Sequence, residues 1–236
     1  MDRLTRKELK TDKFAQEVSH TVEFLEEHRR QAIIIGAIAL VAILAVLGGR
    51  YYLRLQRAER QQALRQAERI YQAQVGPVTN AYLVFYPTEE AKKEAVEKAF
   101  GEIIQKYPRS EEAAVARYYL GAMAIEQGNY EEAKKRFQEV AASGRQPYAS
   151  QAAFSLAQLY AGEGKLEEAE KLLRELVAKP TELVSKEQAT IALAQVIAQS
   201  KPEEAQKLLE PLRTERSAVS RAAIAALANV PKTDPQ

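Results

Sequence analysis

One six-residue signature returns at a fixed interval and limits what the chain can fold into. Residues 128–133 read GNYEEA, 164–169 read GKLEEA and 200–205 read SKPEEA, each 36 residues after the last. The correspondence extends to both sides. Leu120, Leu156 and Leu193 align, then Gly128, Gly164 and Ser200, then Ala133, Ala169 and Ala205, then Phe137, Leu173 and Leu209, with one residue lost in the third unit's turn. A period of about 34–36 residues holds two helices of about 12–15 residues and marks a helical-hairpin solenoid. One such hairpin cannot bury its apolar side alone, so neighbours must stack.

The residues at these positions fit that geometry. Gly121, Ala157 and Ala194 are small and let the first helix of each hairpin approach the second, where Ala133, Ala169 and Ala205 do the same. Phe137, Leu173 and Leu209 fill the wedge toward the next hairpin. Gly128 and Gly164 stand where a left-handed residue ends the first helix. Asn129 can cap the second helix, and the paired glutamates sit in its first turn, where the helix dipole favours them. Upstream, Thr88 is a candidate N-cap for a helix that Pro108 stops, and Ser217–Val230 reads as a closing cap helix. Gly (10) and Pro (9) are scarce while strong helix formers dominate, so the expected fold class is all-α.

The second feature is Gln31–Gly49, QAIIIGAIALVAILAVLGG, 19 residues without a charge. As a helix it reaches about 28 Å, close to the ~30 Å hydrocarbon core of a bilayer. His28, Arg29 and Arg30 flank one end and Arg50, Tyr51 and Tyr52 the other, as at a lipid–water interface. A 30-residue tail precedes the run and Gly48-Gly49-Arg50 is a poor cleavage site, so it reads as a signal anchor. Within twenty residues of the span, 3 Lys/Arg precede it and 6 (Arg50, Arg54, Arg57, Arg60, Arg65, Arg69) follow, which by itself favours a cytoplasmic C-terminal side. That rule weakens for long translocated domains, and charge alone leaves the orientation open. In the tail, Phe14, Val18, Val22 and Leu25 form one apolar stripe at helical spacing. After the span, Leu64, Ala67 and Ile70/Tyr71 form a narrow seam on a Gly- and Pro-free helix that Gly76-Pro77 ends, either a stalk that pairs with a copy of itself or a helix that packs on the domain. Residues 76–88 look least helical, although Tyr82, Phe85 and Tyr86 suggest a packed segment.

These readings organise the chain as a tail over 1–30 with a short amphipathic helix, a transmembrane anchor over 31–52, a juxtamembrane stalk helix over 53–75 and a repeat domain over 76–236.

Catalytic chemistry finds little support. Cys is absent, which excludes thiolate catalysis and Cys-based metal sites, and the two histidines, His20 and His28, both lie in the tail. No Gly-rich phosphate loop is present. Adjacent glutamates in a helix point about 100° apart and cannot converge on one substrate. Ordinary surface pairs such as Glu131–Lys135, Glu132–Lys135 and Glu167–Lys171 are expected instead. The net charge is +2, and residues 70–236 carry 21 basic and 23 acidic side chains, which argues against a nucleic-acid face. Neither an enzyme nor a cofactor or metal site is expected.

Leu120-Gly121, Gly128, Tyr130, Ala133 and Phe137 resemble a tetratricopeptide repeat. That motif usually carries a Tyr where Ala124 stands; Tyr160 supplies it in the next copy, and the third is degenerate at Pro202. Glu89–Pro108 resembles the second helix of an incomplete first repeat. A narrower likeness lies nearer the membrane. Residues 22–28 (VEFLEEH), the span, Gly49-Arg50-Tyr51-Tyr52, Gln56 and Tyr71-Gln72-Ala73 are similar to the YfgM-like family of bitopic inner-membrane proteins, described as ancillary subunits of the Sec translocon.

The first resemblance implies a concave wall built from the first helix of each hairpin. Tyr118, Ala122 and Ile125 then face it in one unit, Phe154, Gln158 and Ala161 in the next, and Ile191, Gln195 and Ala198 in the third. Aromatic, Gln and Ala side chains suit sequence-tolerant peptide binding; the alternative is that Tyr118 or Phe154 simply packs between helices. The second resemblance implies a cytoplasmic tail and a periplasmic repeat domain touching translocon subunits, envelope chaperones or emerging chains. The alternative is a scaffold of the cell envelope or division machinery that self-associates through span and stalk.

Overall fold

The computed structural model describes residues 29–77, 84–213 and 218–231. The amphipathic stripe of the tail, both histidines, Tyr82 and Ser217 lie outside the described residues. The chain divides into two compact units, Met1–Glu59 and Arg60–Gln236.

The described part of the first unit is helical, the first part of α1 (Arg29–Tyr71). From Ile33 to Leu47 its Ile, Leu and Val side chains are all 55–67% exposed. A core helix of a water-soluble protein would bury them. Ten such side chains left in water forgo on the order of 20 kcal/mol of hydrophobic stabilisation. Helix length and composition suffice to cross a membrane, as a single-pass anchor requires. Beyond the apolar run, Gln56 donates to the Tyr52 hydroxyl at 2.8 Å one turn away.

The second unit is an array of hairpins. After the end of α1 come α2 (Glu89–Lys106), α3 (Glu111–Glu126), α4 (Tyr130–Ala142), α5 (Tyr148–Gly162), α6 (Leu166–Ala178), α7 (Lys186–Ile197), α8 (Pro202–Arg213) and α9 (Ala218–Ala228). From α2 on, each helix packs on the next in sequence, and α9 closes the array against both α8 and α7. The described residues are otherwise nearly free of sheet. β1 (Gln74–Val75) and β2 (Phe85–Tyr86) pair in parallel, Gln74 with Phe85 and Val75 with Tyr86.

Caps define most boundaries. Thr88, Ser110, Asn129 and Ser185 each accept a hydrogen bond from the backbone N–H three residues on, at 3.0–3.3 Å. Gly128 (φ +73°) and Gly164 (φ +77°) close α3 and α5 in the left-handed region. The next residue's N–H reaches back five positions in each case, Asn129 to Ala124 at 2.8 Å and Lys165 to Tyr160 at 2.9 Å. In the third hairpin Ser200 needs no positive φ. With one residue fewer, Lys201 N–H bonds the Ile197 carbonyl at 2.7 Å, and Pro202 opens α8 at the one position where a missing N–H costs nothing.

The apolar core is a row of three clusters. One joins Ala67 of α1 to Val96, Phe100 and Ile103 of α2 and Ala116, Leu120 and Met123 of α3. The middle one holds Ala124, Ala133, Phe137, Val140 and Leu156. The third runs from Phe154 through Ala169, Leu173, Leu193, Ala205 and Leu209 to Ala223 and Ala226. Ala133, Ala169 and Ala205 are fully buried, and Phe137, Leu173 and Leu209 are at most 1% exposed.

The seam of the stalk helix takes the second of its two readings: from Arg60 on it packs on the repeat domain. Ala67 is 1% exposed, and Ala63, Leu64, Ile70 and Tyr71 pack on the first cluster. Those turns share the first cluster with α2 and α3 and fall in the second compact unit, Arg60–Gln236. The 36-residue register hides this, because the long connection from Gln72 to Thr88 separates α1 from α2. The surface ion pairs differ from expectation. Glu131 meets Lys134 and Glu132 meets Arg136, both at 2.7 Å.

Candidate functional site: the inner face of the hairpin array

The first helix of each hairpin supplies the candidate face. Tyr118, Ala122, Ile125, Ala161 and Ile191 are half-buried, and Gln158 and Gln195 are exposed. Phe154 takes the core alternative. At 6% exposure it belongs to the third cluster with Ala157, Leu173 and Ala189, so it supports the face from beneath. Ala198 is likewise buried.

Tyr118 opens onto a feature that the periodic pattern conceals. Its ring lies 5.5 Å from both Phe137 and Tyr148 and 6.1 Å from Tyr119. Tyr119 stacks on the buried Phe100 at 5.2 Å, with planes 7° apart, and sits 5.1 Å from Tyr71 and 6.5 Å from Tyr148. Tyr71, Tyr118, Tyr119 and Tyr148 therefore form one half-buried aromatic strip across α1, α3 and α5. Offset and edge contacts of this kind stiffen such a strip beyond simple area burial.

Polar groups fix it in place. The Tyr71 hydroxyl donates to Glu126 at 3.0 Å, and Gln151 donates to the Tyr118 hydroxyl at 3.2 Å. Burial holds the Tyr71 hydroxyl pKa up at about 12, with Glu126 adding to the shift. Burial also raises Tyr119 and Tyr148, with the two hydroxyls acting on each other. Glu68, one turn before Tyr71, is half-buried; loss of water raises its carboxyl above the ordinary range, partly offset by Arg65.

Sequence reading had singled out only Tyr118 in this role. Tyr119 aligns with Ser155 and Ala192, and Tyr148 lies where the repeat has Glu112 and Ser185, so neither recurs at 36 residues. The Tyr118-Tyr119 doublet and the Tyr71 seam were the only signals. Beside the strip, a cavity of about 580 Å³ is lined by Tyr71, Val96, Met123 and Glu126, with Glu89, Glu90, Lys92 and Lys93 among its other walls. Its charge is mixed. Among the described residues no three side chains are grouped as metal ligands.

A second set of contacts locks neighbouring hairpins in register. Lys134 of α4, 8% exposed, bridges Glu131 and Glu163 of the following turn. Thirty-six residues later Glu170 of α6 takes the opposite sign and bonds Lys201 at 2.6 Å in the next turn. Arg174 joins Glu170 to Glu204, each at 2.7 Å. These partners lower the Glu163 and Glu170 carboxyls and raise Lys134.

The stacked hairpins agree with comparison to known families. A model described as a tetratricopeptide repeat-like domain matches residues 24–147, just over half of the chain. The chain belongs to the tetratricopeptide repeat-like domain family. A second model, tetratricopeptide repeat, matches residues 124–182. The first range begins before the apolar run and ends after α4, so this tetratricopeptide repeat-like domain includes the membrane-proximal helix. No curated protein and no solved structure matches the chain. Tetratricopeptide repeat-like arrays are protein-interaction scaffolds whose curved surfaces bind partners.

Proposed function

We propose that the protein is a membrane-anchored, non-enzymatic adaptor. The observation that carries this reading is the combination in one chain of an exposed apolar helix and a hairpin array whose first helices carry half-buried tyrosines and exposed Gln158 and Gln195. The helix fixes the array at a bilayer, and the face receives a partner segment. Among membrane adaptors, the sequence likeness around residues 22–28 and 49–73 favours an ancillary subunit of the Sec translocon in a bacterial inner membrane, with the repeat domain in the periplasm contacting chaperones or emerging chains.

The charge asymmetry around the span is partly accounted for by structure. Of the six arginines after it, Arg60 pairs with Glu112 at 3.2 Å inside the repeat domain and lies 5.9 Å from the Tyr107 ring, so a structural role accounts for it.

Photo-crosslinkers at Gln158 and Gln195 in native membranes test the reading. Translocon subunits or envelope chaperones are the expected adducts. Adducts only between copies of this chain favour a self-associating envelope scaffold, and no protein adduct at either position refutes the adaptor. A C-terminal reporter fusion active only in the cytoplasm would sink the periplasmic assignment.

A further inference from the structure

We infer that the tyrosine strip receives a cationic side chain, Lys or Arg, carried by an extended segment of the partner, with Glu68 as its counter-ion. This rests on the adaptor reading and adds the chemistry of the partner.

Three observations lead there. First, the strip is continuous and partly open. Tyr71, Tyr119 and Tyr148 are half-buried, and each ring lies within 6.5 Å of the next, so an incoming group meets several π-faces or edges at once. Tyrosine rings attract a cation within about 6 Å, more strongly where water is excluded. Second, the carboxylate in the strip is unspent. Glu68 makes no hydrogen bond or ion pair through its side chain among the described residues, and the cation acting on it, Arg65, is itself exposed on the same helix. A partly desolvated carboxylate without a close partner gains from one. Third, the tyrosine proton nearest the helix end is already committed: Tyr71 donates to Glu126 at 3.0 Å, while Tyr118 accepts from Gln151. A carboxylate or phosphate would face Glu68 and Glu126, while Lys92 and Lys93 line the adjoining cavity. The two carboxylates beside the strip favour a basic segment over an acidic one.

The chain has no Trp, so tyrosine emission can be read without Trp interference, and four of the 11 Tyr lie in the strip. The test uses the full chain in nanodiscs and extended peptides of one sequence in three versions, with Arg, Gln or Glu at the central position. Binding is read by calorimetry and by tyrosine emission. The Arg peptide is expected to bind at least tenfold more tightly than the Gln peptide and to change the emission, while the Glu peptide does not bind. Glu68→Gln is expected to remove the Arg preference but keep residual binding, and Tyr148→Leu to weaken the Arg peptide about fivefold or more. Circular dichroism and thermal melts of both variants establish that they remain folded. Equal binding of all three peptides, competed by substitution at Gln158 and Gln195, overturns the cation assignment and leaves the adaptor intact. Binding of none, together with no adduct from Gln158 or Gln195 in membranes, overturns both.

Discussion

The ring of Phe137 occupies the space that a side chain on Gly121 would need: a Cβ built there falls 2.8 Å from Cε1 and 3.1 Å from Cδ1. Phe137 is 1% exposed, so its ring has little room to retreat. Gly121→Ala gains about 1 kcal/mol of helix propensity but overpacks the interface by about 1–3 kcal/mol. The expected net effect is destabilisation by about 1 kcal/mol. In a Phe137→Leu background the clash is relieved and the same substitution should become stabilising. Denaturant unfolding of the four proteins of this cycle measures the sign change; its absence would show that Gly121 is not there for the ring.

Arg60 and Glu112 carry the junction of α1 with the repeat domain. The Glu112 side chain is 8% exposed and that of Arg60 21%. Arg60→Leu strands a nearly buried carboxylate, at an expected cost of about 2 kcal/mol, below the 3–5 kcal/mol of fully buried pairs because water still reaches the site. Arg60→Met with Glu112→Leu should recover most of the loss. Hydrogen exchange of residues 60–71 provides a local readout and should rise in the single variant only.

Alkaline pH should act on the tyrosine strip. The folded hydroxyl of Tyr71 is raised to about 12 from an ordinary 10, and those of Tyr119 and Tyr148 are also raised. The folded state therefore holds these protons more tightly than the unfolded one. The stabilisation is complete below pH ~10 and is lost as pH climbs toward ~12. Absorbance of tyrosinate should show a late phase coinciding with loss of helical signal. A titration in which every tyrosine ionises before any helix is lost contradicts it.

Acid should act on the ion-pair ladder. Glu163 and Glu170 are lowered from the usual 4.5 by Lys134 and Lys201. Their contribution is present above the ordinary carboxylate range and lost as pH falls below it through the lowered folded values. Both pairs are solvent-accessible, so high salt should weaken them. A melt at pH 3 that is as salt-sensitive as one at pH 7 would count against these pairs as the cause.

Sequence periodicity exposed the all-α hairpin architecture because close helix contact demands small residues, and Gly121, Ala157 and Ala194 recur on schedule. Cap chemistry was legible for the same reason: Asn129 and Thr88 are short acceptors ahead of glutamates. What escaped was aperiodic. The end of α1 meets α2 across the segment from Gln72 to Thr88, closed by the pairing of Gln74 with Phe85, which no local pattern announces. The candidate face was half legible. Register alone left Tyr118 and Phe154 open between groove and core; Phe154 is buried and Tyr118 half-buried, and the Tyr119–Tyr148 contact depends on residues outside the repeat.

The three apolar clusters have a mechanical consequence. Since the third meets the first only through the middle one, a pull on the C-terminus should peel the domain in steps, beginning with α9, rather than rupture it at once. Truncation should follow the same order: loss of α8 and α9 bares Leu193 and Leu173 yet leaves Phe100, Leu120 and Phe137 enclosed, so the turns nearest the anchor are the last to let go.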